Sequence, residues 1–196
     1  VRLKLRKDAH FHDGTPVTAK DVKWSFDRAL VMGGFPAFQM KAGSLEKPEQ
    51  FVVVDEHTVR IDFTRKDKMT LPDLAVPVPS IYNSEAAKKN ATAEDPWAAN
   101  WLKNNCAGGG AYKVTSWKPG QEIVFERYDG WKSGPLPKMK RIIVRDVPSA
   151  GNRRALLERG DADMSYDIPP KDAQEMVKTG KVNIASQPIE NAIWYV

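Results

Sequence analysis

The segment Leu3–Leu30, LKLRKDAHFHDGTPVTAKDVKWSFDRAL, joins a strand, a tight turn and a capped helix in one continuous pattern. Leu3 and Leu5 alternate with basic residues as in a half-buried strand, and Asp13-Gly14 supplies a residue that tolerates positive φ where the chain must turn. Thr18 stands at the N-cap position and Asp21 three residues on, a near-capping box. Val22, Phe26, Ala29 and Leu30 then mark one helical face, and Gly33-Gly34 supplies the stop. His10 and His12, two apart, share a strand face as a metal pair would, but no carboxylate or cysteine completes the set, so no metal is expected.

The order Arg6-Lys7, Phe11-His12-Asp13-Gly14-Thr15-Pro16-Val17-Thr18-Ala19-Lys20-Asp21-Val22, Ser25-Phe26 resembles the signature of the family 5 extracellular solute-binding proteins, the peptide, dipeptide and nickel-type receptors of ATP-binding-cassette (ABC) importers. A second run, Arg153-Arg154-Ala155-Leu156-Leu157-Glu158-Arg159-Gly160-Asp161-Ala162-Asp163, is similar to that family as well. Gly108, Gly110, Tyr112 and Lys113 match its glycine-rich turn, which departs slightly, at one glycine and at Ala111, from the commoner threonine and proline. The resemblance implies an α/β fold with a mixed sheet, most of lobe I of a type II periplasmic binding protein. It also implies that the segment after the first helix approaches a ligand cleft. Phe35, Phe38, Gly108, Gly109 and Tyr112 are the expected ligand-binding residues, with no catalytic residue and no cofactor. Implied partners are a peptide or other small solute and the ABC permease subunits at the membrane, in the periplasm.

Composition fits this frame. The 196 residues are 41% hydrophobic and 28% charged, ordinary for a folded globular chain. No apolar run approaches the roughly 20 residues of a membrane span, and no charged-then-apolar leader stands before the first strand pattern. The chain opens inside one strand pattern at Val1 and closes inside another at Ile193-Trp194-Tyr195-Val196, as a piece of a longer protein would. One cysteine, Cys106, excludes an internal disulfide; as a reactive thiol it has no histidine neighbour visible in the sequence. Of the net charge of +5, residues 1–50 carry +3, 51–100 carry −2, 101–150 carry +5 and 151–196 carry −1. The basic excess is interleaved with strand residues and turns, which favours a solvated surface over a nucleic-acid groove.

Further along, Phe35, Phe38 and Met40 read as a loop, and Phe51–Val54 with Thr58–Phe63 as a hairpin that places Val59, Ile61 and Phe63 on one face. Pro72, Pro77 and Pro79 break any long helix, making Val76–Pro79 an extended connector. Ser84–Lys89 opens a helix, and Asp95-Pro96-Trp97 another, with Trp97 and Trp101 as its buried stripe. Asn104–Tyr112 is glycine-rich but leads into a strand, the wrong context for a phosphate loop. Lys118-Pro119-Gly120-Gln121 is a turn between two strands. Arg141–Val147 reads as a central strand, Ser149–Arg159 as a helix stopped by Gly160, and Asp161–Tyr166 as the returning strand of a βαβ-like unit. Asp161 and Asp163 lack the positioned partner that paired catalytic carboxylates need. Pro169-Pro170 opens a last helix through Lys178 with Ala173, Met176 and Val177 inward, and Val182–Ala185 is a strand.

The expected organisation is a smaller subdomain at 1–103, a mixed-sheet subdomain at 104–190 and the start of a hinge strand to a second lobe at 191–196. The expected function is capture of a peptide or related small solute between two lobes for delivery to a permease. A basic anion- or nucleic-acid-binding domain, and an enzyme acting on peptide or sugar substrates, are the alternatives. Neither has a motif behind it. The cut strand near Val196 is expected to leave an unpaired edge and exposed cleft-side apolar surface, favouring self-association.

Overall fold

In a computed structural model describing residues 1–75 and 80–185, the opening segment folds as its pattern demands. Strand β1 (Arg2–Lys4) leads through the Phe11–Gly14 turn, where Gly14 has φ 86°, into helix α1 (Ala19–Met32). The side chain of Asp21 accepts the backbone N–H of Thr18 at 2.9 Å and its hydroxyl at 2.7 Å. Val22, Phe26, Ala29 and Leu30 are all buried.

Gly33 and Gly34, at φ 74° and 67°, do not release the chain into a loop. They turn it into a second helix, α2 (Gly34–Ala42), so Phe35, Phe38 and Met40 are helical and the expected loop is corrected. A residue pair in the left-handed region ends one helix, but Pro36 near the next start is preorganised for another. Spacing then sorts the side chains: Ala37 and Met40, three apart, are buried, whereas Phe35 and Phe38 are 63% and 69% exposed.

Strands β2 (Phe51–Asp55) and β3 (Thr58–Ile61) form the expected hairpin, and β1 adds antiparallel to β3 with Leu3 opposite Val59, giving the order β1-β3-β2. Its inner face meets α1. Phe26 and Phe51 pack edge to face at 4.9 Å between ring centroids, with Met40, Leu45, Val59 and Ile61 completely buried around them. Three short helices follow: α3 (Thr70–Ala75), α4 (Ser84–Lys89) and α5 (Ala99–Leu102). Asp95 caps α5 by accepting the N–H groups of Ala99 and Asn100, both at 2.8 Å. Trp97 packs on Trp24 with centroids 5.6 Å apart. The Val76–Pro79 connector lies outside the described residues.

A second three-stranded sheet has the order β4 (Tyr112–Lys118), β5 (Glu122–Arg127), β6 (Arg141–Arg145). The β4–β5 turn has Gly120 at φ 69°, as its Pro-Gly pair requires. Among the described residues β6 is an edge strand and not the expected central one, and Ile142, Ile143 and Val144 are 38%, 43% and 51% exposed.

The chain divides into two units, residues 1–118 with 123–144, and residues 119–122 with 145–196. The second carries helices α6 (Ala150–Arg159) and α7 (Pro170–Lys178). Ser149 accepts the N–H of Asn152 at the start of α6, and Gly160 ends it in the left-handed conformation at φ 78°. Arg154 joins the helices, donating to Glu158, Asp172 and Glu175 at 2.8, 2.8 and 2.9 Å. Met176 is buried beneath them, but Val177 is 41% exposed and not inward as expected. Asp161–Tyr166 and Val182–Ala185 are irregular, which corrects the two expected strands and the βαβ-like unit. A strand exists by its ladder, and among the described residues neither segment has a neighbouring strand to supply one. The expected hinge strand at 191–196 lies outside the described residues.

Candidate functional site: the glycine-rich loop against the opening turn

Two parts of the first unit that are distant in sequence meet at the loop 104–111. His12 donates its backbone N–H to the carbonyl of Gly108 at 2.9 Å, and its ring Nε2 lies 2.9 Å from the carbonyl oxygen of Gly110. A carbonyl only accepts, so Nε2 carries the proton. Gly109 sits where a Cβ would come within 2.6 Å of the His10 carbonyl oxygen; only glycine allows this approach. The loop is therefore laid flat on the turn by backbone contact.

A polar network below fixes both. Asn83, the N-cap of α4, receives the N–H of Ala86 on its side-chain oxygen at 3.0 Å and donates its backbone N–H to Ala107 at 2.8 Å. Its amide also donates to Asp13 at 2.7 Å and to the Thr15 hydroxyl at 3.0 Å. Asp21, only 5% exposed, accepts from Ser84 through both the backbone N–H at 3.0 Å and the hydroxyl at 2.7 Å, besides its two bonds from Thr18. Both carboxylate oxygens are thus satisfied, as a buried acid requires. Burial pushes the Asp13 carboxyl up, but hydrogen bonds from Thr15 and Asn83 outweigh it and hold the group below its usual value. Beside this network is an open depression of about 440 Å³, bordered by Asp13, Thr15, Lys20, Asn83, Glu85 and Lys89.

The expected site residues divide between two places. Gly108, Gly109 and Tyr112 are in or next to the loop, where the Tyr112 hydroxyl donates to the Met139 carbonyl at 2.8 Å. Phe35 and Phe38 are on α2, in a different element. The loop also holds what the sequence did not reveal. Sγ of Cys106 lies 3.4 Å from Nδ1 of His12, so the expected lack of a histidine neighbour is corrected. The two are 94 residues apart, and only the docking of loop on turn brings them together. The hydrogen bond from Cys106 raises the His12 pKa against the opposing effect of burial. The same bond brings the Cys106 thiol from 9.0 down to about 7, burial opposing and the N–H groups of Gly108 and Val114 assisting. The Tyr128 ring packs against His12 at an interplanar angle of 70°, with centroids 5.1 Å apart.

Among the described residues no three His, Cys, Asp or Glu side chains gather as a metal site, and no helix is long and apolar enough to cross a membrane. Asp161 is paired with Arg159 at 3.0 Å, a surface ion pair at the end of α6.

Comparison with known proteins places this geometry. The model of the bacterial extracellular solute-binding proteins, family 5 Middle, matches residues 1–196. The probable D,D-dipeptide-binding periplasmic protein DdpA of Escherichia coli K12 is 35% identical over 187 residues, 94% of this chain and 34% of DdpA. The glutathione-binding protein GsiB of Pectobacterium atrosepticum is 30% identical over 188 residues, 95% of this chain and 34% of GsiB. Among solved structures, the binding protein AgaA of A. tumefaciens R10 in complex with agropinic acid superposes with a TM-score of 0.74 at 31% identity, covering 90% of this chain and 34% of AgaA. The putative peptide-binding protein AppA of Clostridium difficile gives 0.71 at 26% identity, covering 93% of this chain and 36% of AppA. The fold is accordingly the mixed α/β fold of type II periplasmic binding proteins, and the chain spans about a third of the length of the relatives it matches. With the family model matched from the first residue to the last, the chain belongs to the bacterial extracellular solute-binding proteins of family 5.

Proposed function

We propose that the chain is part of the substrate-binding component of an ABC importer, working in the periplasm without catalytic turnover. It captures a peptide or related small solute between two lobes and hands it to permease subunits at the membrane. The observation that carries this reading is the family match along all 196 residues, joined to relatives named for a D,D-dipeptide and for glutathione. A smaller subdomain at 1–103, a mixed-sheet subdomain at 104–190 and a hinge strand beginning at 191 belong to this reading through the family resemblance; in sequence the two sheets fall on either side of residue 103, while the compact units divide the chain elsewhere.

Within this reading Phe35 and Phe38 offer their exposed rings to apolar groups of the ligand. Gly108 and Gly109, by letting the loop lie close on the opening turn, fix the loop that is offered to a peptide, with Tyr112 next to it. Closure of two lobes exchanges two wet half-sites for one dry cavity, where hydrogen bonds and apolar contacts are stronger. One lobe alone gains little. Calorimetry with a D,D-dipeptide and with glutathione should show at least about 100-fold weaker binding by this chain than by its full-length parent, a difference of about 2.7 kcal/mol. Equal affinity would overturn the two-lobe reading. The apolar, exposed edge strand β6 also supports self-association of this chain when it stands alone.

A further inference from the structure

We propose that Cys106 and His12 form a thiol–disulfide exchange site that takes low-molecular-weight disulfides as mixed disulfides on Cys106. The proposal is independent of which solute the protein carries.

The geometry is that of a nucleophile and its base. Nε2 of His12 is committed as a donor to the Gly110 carbonyl, so in the neutral ring Nδ1 holds the lone pair, and Nδ1 is the atom 3.4 Å from Sγ. The thiol proton therefore has an acceptor already aimed at it, and after transfer the imidazolium keeps both hydrogen bonds. The ring cannot turn away easily: the Gly110 carbonyl holds Nε2, the Tyr128 ring packs against it with centroids 5.1 Å apart, and the His12 backbone is tied to Gly108. Cys106 itself is exposed, so a small disulfide can reach it. The charged group facing the pair is Lys113, whose ammonium opposes protonation of His12, and it is outweighed by the bond from the thiol. The lowered pKa of Cys106 has the cause expected of this arrangement.

In the exchange, the Cys106 thiolate attacks one sulfur of R–S–S–R. The Cys106–S–S–R bond forms as the R–S–S–R bond breaks, and RS⁻ leaves and takes up a proton from the imidazolium or from water. One disulfide is consumed and one made, so no external oxidant is required, and a small thiol reverses the step. The adduct occupies the position opposite Nδ1, ending the thiol–imidazole bond that joins loop and turn.

The test uses the full chain. Its reaction with 5,5′-dithiobis(2-nitrobenzoic acid) is followed from pH 5 to pH 9.5, natively and in denaturant, and the cystine adduct is read by intact mass. The expected native profile has its midpoint at about 7, against about 8.5 for the denatured chain. The His12→Asn variant is expected to shift the native midpoint upward by more than one pH unit and to slow the reaction at pH 6.5 several-fold, while cystine adds once to the wild type. Coincident native and denatured midpoints, or no cystine adduct on the native protein, would overturn the proposal. The comparison within the wild type decides the matter even if the variant fails to fold.

Discussion

Asp21 does at residue scale what several separate caps do elsewhere. Its two oxygens serve Thr18 at the start of α1 and Ser84 at the start of α4, so one buried carboxylate stabilises two helix N-termini. Removing it leaves two backbone N–H groups and two hydroxyls without their acceptor in a site that water barely reaches. The Asp21→Ala variant should lose about 3 kcal/mol of stability by urea denaturation, more than the roughly 1 kcal/mol of an ordinary cap. The first half of this role was legible in the sequence, because Thr18 and Asp21 are local and their spacing is a helix-start signal. The second half was not. Ser84 lies 63 residues away, and nothing in its neighbourhood marks it as the partner of that acid. The same holds for Cys106 and His12: each residue type suggests chemistry, but their meeting depends on the close approach that Gly109 permits.

At the scale of elements, the helices and hairpins were legible wherever their signals are short-range. The β2–β3 hairpin, the Ser149 and Gly160 limits of α6 and the Pro-Gly turn between β4 and β5 all arise from neighbouring residues. Gly33-Gly34 marked a break in the chain correctly, but a break does not specify the next element, which here is the helix α2. The strands expected at Asp161–Tyr166 and Val182–Ala185 failed for the opposite reason, since alternation describes a willingness to pair and pairing needs a second segment. Strand β6 shows what an unmatched edge exposes. Replacing Ile143 by Lys places a charge in that edge, and sedimentation over a range of concentrations should show weaker self-association than the wild type with an unchanged thermal midpoint. A loss of folding together with the loss of association would mean that Ile143 serves the core of this chain.

For the molecule as a whole, acid should unfold the first unit through carboxylates that lose their donors. Asp67, bound by the Ser44 hydroxyl and the Met69 N–H, and Asp95, bound by the N–H groups of Asn100 and Ala99, are held below 3.8, as is Asp13. With the folded pKa depressed, the unfolded chain takes up protons first as pH falls. The stabilisation is therefore complete above about pH 4 and lost as pH drops through the folded values. Asp27 acts in the other direction, its carboxyl raised by burial against the pull of Lys23, so its protonation offsets a part of the loss. Thermal melts between pH 6 and pH 3 should show a midpoint that is flat at first and then falls below about pH 4. A midpoint that rises toward pH 3 would show burial of Asp27 prevailing over the other three.

The separation of His12 from Gly110 by 98 positions has a consequence for biosynthesis. While the polypeptide leaves the ribosome, the turn that carries His12 must wait for nearly a hundred further residues before the loop that receives its ring exists. Until then the imidazole and its neighbours are hydrated and unprotected, and whatever binds nascent chains meets them in that state.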